Sequence, residues 1–106
     1  MISYTTPTYA IRINTALPDN CNVYVTFERD GERVTVKVDE YSVDATAGES
    51  LMYVDLTQAQ TGGLVPGRCN VQANIVDSNG YRAATKWANV YVGGNLITEV
   101  LQYDAD

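Results

Sequence analysis

The sequence predicts an all-β fold, an antiparallel sandwich of two sheets with one short helical turn. Two dipeptides suited to tight hairpins, Asp30-Gly31 and Asn79-Gly80, each lie between segments that alternate apolar and polar residues. Turn signals recur roughly every ten residues, the spacing of an all-β chain. No stretch carries the 3.6-residue apolar period of an amphipathic helix.

The first strand is expected at residues 9–15, where Tyr9, Ile11 and Ile13 alternate with Ala10, Arg12 and Asn14 before Pro18-Asp19-Asn20 breaks the pattern. The second and third, at 22–29 and 32–38, form the Asp-Gly hairpin. A two-residue turn at positive φ fixes their register: Phe27 opposite Val34, Val25 opposite Val36 and Val23 opposite Val38 on the dry face. On the wet face Glu28 meets Arg33, Thr26 meets Thr35 and Tyr24 meets Lys37. Residues 39–50 read as a connection with room for a short edge strand at 41–45. Alternation returns at 51–56, with Met52, Val54 and Leu56 on one side and Tyr53 and Asp55 on the other.

Thr57-Gln58-Ala59-Gln60 has the spacing of a capping box, in which the Thr and Gln side chains satisfy free amides of a first helical turn. Gly62-Gly63 supplies the stop, Leu64 tucks beneath, and Pro66-Gly67 turns the chain into a strand at 69–76 with Val71, Ala73 and Ile75 inward. A two-residue Asn-Gly loop would then set Ile75 opposite Ala84, Val71 opposite Ala88 and Cys69 opposite Val90. That register drives Lys86 inward opposite Ala73, a conflict that calls for a bulge near 85–87 or a longer loop. Gly93-Gly94 reads as a hinge before an apolar strand or arm at 96–101, and the acidic end from Asp104 to Asp106 is expected to fray.

Short strands in this order point to an immunoglobulin-like sandwich, read as a single domain over 1–106 with 93–106 as a C-terminal arm. The antibody hallmark of a Trp after the first Cys is absent, since the only Trp, Trp87, follows both cysteines. The tight hairpin requires 22–29 and 32–38 to share a sheet, as the C and C′ strands do. The segments 9–15, 51–56, 69–76 and 83–92 become B, E, F and G, and a C′–C–F–G sheet results. Cys21 and Cys69 then begin antiparallel neighbours and lie at opposite ends, so both thiols are expected to be reduced.

A net charge of -6 from 7 basic and 13 acidic residues argues against binding phosphate backbones or anionic membranes. No run reaches the roughly 20 apolar residues of a spanning helix, and the Met-Ile-Ser-Tyr-Thr-Thr start lacks the regions of a signal peptide. A soluble protein made in a cytoplasm is expected. The chain has no His, so catalysis would fall to carboxylates, Lys, Tyr or Cys, and nothing clusters them in a recognisable way. The sequence is therefore read as a non-enzyme, without cofactor or metal. Asp77-Ser78-Asn79-Gly80 resembles the start of a calcium loop, but the later acidic ligands do not follow.

One surface carries functional interest. The outward positions of the C′–C–F–G sheet include Tyr24, Thr26, Thr35, Lys37, Asn70, Gln72, Asn74, Thr85, Trp87, Asn89 and Tyr91, an aromatic and amide-rich set with little charge. Among these Tyr24, Gln72, Trp87, Asn89 and Tyr91 are the candidate interaction residues. Such a mixture suits a protein interface, and equally suits stacking on sugar rings with amides reading hydroxyls. Thr, Tyr and Trp are also ordinary strand formers on solvated sheets.

The run Val54-Asp55-Leu56-Thr57-Gln58-Ala59-Gln60-Thr61, with Leu64, Pro66-Gly67, Val71-Gln72 and Asp77-Ser78-Asn79-Gly80, resembles small immunoglobulin-like proteins of Gram-positive phages and prophages. It is also similar to the N-terminal domain of baseplate upper proteins. The resemblance spans about residues 40–100. It implies a virion structural or assembly module of tail or baseplate type, put together in the bacterial host cytoplasm, whose partners are other virion proteins or copies of itself. It carries over no active-site residue. Trp87 and the Asn-rich strand stand outside that pattern, and a carbohydrate-binding or adhesion module using the aromatic face is the alternative expectation.

Overall fold

In the computed structural model, which describes residues 1–104, eight strands and one helical turn follow one another along the chain. They are β1 (Thr8–Ile13), β2 (Cys21–Arg29), β3 (Glu32–Val38), β4 (Glu40–Asp44), β5 (Glu49–Asp55), α1 (Gln58–Gly62), β6 (Gly67–Asp77), β7 (Arg82–Ala84) and β8 (Ala88–Val92). One sheet has the order β1-β5-β4, and the other runs β3-β2-β6 with β7 and β8 both on the far edge of β6. All pairings between these strands are antiparallel. This is the B-E-D sheet facing the C′-C-F-G sheet of an immunoglobulin-like sandwich, and β4 is the short edge strand expected in the 39–50 connection.

The Asp-Gly hairpin has the predicted register at every pair, from Val23 opposite Val38 to Arg29 opposite Glu32. Asp30 at φ 49 and Gly31 at φ 85 form the two-residue turn, with both central residues in the left-handed region. Its dry face enters the core: Val23, Val25 and Phe27 are buried, packing against Met52, Val54 and Leu56 of the other sheet. Tyr9 and Phe27 meet across the two sheets with ring centroids 5.9 Å apart. Burying a side chain such as Phe27 contributes enough that truncation to Ala costs about 3–5 kcal/mol.

The capping box forms as expected. Gln60 N–H donates to Thr57 Oγ1, and Thr57 N–H donates to Gln60 Oε1 at 2.8 Å. The stop differs from a left-handed glycine cap, because Gly63 has φ -76. Gly62 serves close approach instead: a Cβ there would enter the Tyr4 ring. Thr61, fully buried, explains why the N-terminal segment lies here, since its Oγ1 donates to Thr5 O at 2.8 Å and accepts from Thr5 N–H at 3.0 Å. Ser50 ties the β1–β2 connection in the same way, donating to Thr15 O and accepting from Leu17 N–H. Leu64 is buried in the core.

The second hairpin corrects the expected register. Ile75 faces Ala83, and Asn74 faces Ala84, because the loop holds three residues, Ser78, Asn79 and Gly80. Asp77 closes it: Asp77 N–H donates to Tyr81 O, Gly80 N–H donates to Asp77 O, and Asp77 Oδ1 accepts from both Asn79 and Tyr81 N–H. A carboxylate that can accept two loop amides favours this wider turn. Beyond it the chain slips by one residue, since Val71 faces Ala88 and Cys69 faces Val90 as the tight-loop register required. The bulge therefore falls at 85–87, and the longer loop and the bulge both occur. Lys86 escapes the core and is exposed, whereas Thr85, expected outward, is half-buried.

Residues 94–104, expected as an apolar strand or arm, form no strand. Gly93, read as part of a hinge, is held on both sides, its N–H donating to Met1 O and its carbonyl accepting from Ser3 N–H. Asn95 Nδ2 donates to Ser3 O, and the Gln58 amide makes two hydrogen bonds of 2.8 Å with the Leu101 backbone. The expectation of fraying at Asp106 lies outside the described residues.

Candidate functional site: the outer face of the C′-C-F-G sheet

The outer face is built by strand registry. Thr35, Thr26 and Gln72 stand in one row, and Arg33, Glu28, Asn70 and Asn89 stand in the next. Thr26 and Thr35 share a 2.9 Å hydroxyl hydrogen bond across β2 and β3. A shallow trough of about 280 Å³ runs over these rows, walled by Trp87 and Arg82 on one side and by Glu28 and Arg33 on the other. Its floor is the amide ladder Asn70, Gln72 and Asn74.

The bulge positions one wall of this trough. Thr85 N–H donates to Ala73 O, and Thr85 Oγ1 accepts from Ala73 N–H at 3.0 Å, so a side chain replaces the ladder carbonyl. The carbonyl of Thr85 turns to accept from Gln72 Nε2 at 2.9 Å. This fixes the Gln72 amide in the trough floor and leaves the following Trp87 on the outer face, 64% exposed. On the other side of the bulge Arg82 Nη2 donates to Asn74 Oδ1 at 3.1 Å.

Of the five candidate residues, Gln72 and Trp87 line the trough together. Tyr24 lines an adjoining depression with Thr26, Thr35, Asn74 and Arg82. Asn89 and Tyr91 are exposed farther along β8 and border neither hollow, Tyr91 being 69% exposed. The face is also more charged than its outward list suggested, because Glu28, Arg33 and Arg82 all enter the trough. Glu28 and Arg33 were legible as a cross-strand pair. Arg82 was not, because the tight-loop register turned it the other way.

Neither cysteine belongs to this face. Cys69 is buried, with its thiol donating to Glu28 O, and burial pushes its pKa up. Cys21 is half-buried, and its sulfur lies 3.3 Å from Tyr41 Oη. Both are free thiols. Among the described residues no group of three or more His, Cys, Asp or Glu is placed to hold a metal ion. No protein-family model matches the chain, and no curated protein matches it in sequence.

Proposed function

We propose that the protein is a phage or prophage structural module that works by packing against other virion proteins or copies of itself. The observation that carries this reading is the amount of large apolar surface left in the open. Trp87 and Tyr91 on the sheet are joined by Leu96, Ile97, Val100, Leu101 and Tyr103 on the arm, with Leu96 and Tyr103 almost fully exposed. Exposed large apolar side chains in this number are surface that a partner can cover. Aromatic side chains with Arg beside them are enriched at interfaces, and Trp87 stands beside Arg82 and Arg33. The resemblance of residues 54–80 to immunoglobulin-like phage proteins supplies the particle context.

Trp87 reports on this directly, being the only Trp in the chain. Fluorescence of the wild type should shift to shorter wavelength and resist acrylamide quenching as concentration rises, and Trp87→Phe should lose the signal without losing the fold. Water-like emission at every concentration, and in the presence of candidate particle proteins, would contradict the reading.

The trough favours a second reading. An exposed indole beside a fixed Gln72 amide, Asn70 and Asn74 suits a sugar ring, with Arg33 and Arg82 available to an acidic substituent. A glycan module predicts quenching or shifting of Trp87 by saccharide in a protein whose hydrodynamic size stays constant.

A further inference from the structure

We infer that copies of this chain join by inserting the arm of one into an apolar cleft between the two sheets of another. The inference rests on the assembly reading above and names its contact. The cleft follows from the bulge. Where residues 85–87 leave the ladder between β7 and β8, the sandwich edge between β1 and β6 is only partly covered. Ile11, Ile13 and Val71 are only half-buried there, although their strand positions point them into the core. With Ala88 they line an opening of about 140 Å³, close to the roughly 150 Å³ at which apolar cavities hold a benzene-sized guest. One branched aliphatic side chain matches that space.

Charge selects the occupant. The rim of the cleft carries exposed Lys86, and exposed Arg12, which also holds an ion pair with Glu49 at 3.9 Å, in a chain of net charge -6. The arm carries exposed Ile97, Val100 and Leu101 around the exposed carboxylate Glu99. An apolar segment with an acidic residue in its middle complements an apolar slot with Lys86 at its mouth.

Its own arm is poorly placed to fill the slot. It leaves the body after β8, five residues or about 16 Å of strand beyond the bulge. There Asn95 and Leu101 bind it to Ser3 and to Gln58 of α1. A return path along β8 is obstructed, because the Met1 amine donates to Tyr91 O and Met1 and Ser3 occupy Gly93. A second copy can present its arm to the slot while keeping these bonds, because Ile97 and Val100 are exposed where the arm lies. The contact joins two different patches, so it builds a reciprocal pair or a head-to-tail row.

Two variants isolate the halves of the contact: a chain ended after Gly94, which keeps only the cleft, and Ala88→Glu, which blocks the cleft and keeps the arm. In sedimentation and light scattering the wild type should associate, each variant alone should be monomeric, and their equimolar mixture should form a 1:1 complex. Lys86→Glu and Glu99→Lys should each weaken association about fivefold, as exposed ion pairs allow, and the double variant should recover it. Thermal melts confirm that each variant is folded. If both halves associate as the wild type does, this contact is wrong while assembly through another surface stands. A wild type that stays monomeric at millimolar concentration, including one with its arm in its own cleft, overturns the inference. It leaves partner binding, read by Trp87 fluorescence, as the separate test of the assembly reading.

Discussion

Gly31 sits at φ +85 with open space where a Cβ would stand, so its requirement is conformational and not steric crowding. A β-branched residue is strongly disfavoured there, and the turn fixes three inward Val and Phe pairs of the larger sheet. Gly31→Val should cost about 1–3 kcal/mol, read as a lower denaturation midpoint with an unchanged slope. An unchanged midpoint would mean that the hairpin does not depend on this turn.

The cysteines give a prediction in redox state and in pH. Cys21 pairs with Asp77 at one end of the β2–β6 ladder, while Cys69 lies beyond the Glu28–Asn70 pair at the other. Two thiols should titrate under denaturing, non-reducing conditions, and none would overturn the topology. In the native state half-buried Cys21 should react first. Burial raises the Cys69 pKa above its ordinary value of 9.0, so the folded protein holds this proton after the unfolded chain has released it. The stabilisation is fully present below pH 9, and is lost as pH rises from there through the folded pKa. Tyr9, whose pKa is also raised by burial, extends the loss above its ordinary value of 10.0. Cys69→Ala should flatten the first part of that alkaline fall.

At the scale of elements, what could be read from the sequence depended on whether local chemistry was the whole determinant. The first hairpin was legible to the last pair because Asp30-Gly31 leaves one short solution. The capping box was legible because both of its partners lie within four residues. The second hairpin was not, because Asp77 accepts from two loop amides and widens an Asn-Gly turn that looks tight in isolation. Lys86 signalled the compensating bulge, since its charge has no place opposite Ala73. The roles of Thr61 and Thr85 in binding distant backbone were invisible, as neither partner is near in sequence. Thr85→Ala should free the Ala73 N–H, costing about 1 kcal/mol for a lost part-buried hydrogen bond. Hydrogen exchange at Ala73 should accelerate, and the ring environment of Trp87 should change with it. Unaltered exchange at Ala73 would show that the bulge is held by something other than this hydroxyl.

For the whole molecule, a charge of -6 acts as net repulsion between copies, while Trp87, Tyr91 and the arm leave large apolar side chains exposed. Repulsion keeps copies apart at low ionic strength, and salt screens it over about 10 Å at 0.1 M, so association through apolar patches should strengthen on moving from low to moderate salt. Association that favours the folded state also makes thermal stability rise with protein concentration. The candidate site was legible as a face, because period-two alternation assigns sides. Its trough was not, because Arg82 reached it only through the one-residue change of register.

The most direct test of assembly by packing is the light-scattering mass of the wild type against Trp87→Ala over a wide concentration range, with a glycan array run on both. The account predicts a mass that climbs above the 11.6 kDa of one chain and no saturable glycan binding by either form, whether or not Trp87 lies in the contact between copies. A strict monomer that binds a glycan saturably and loses it with Trp87 would contradict it.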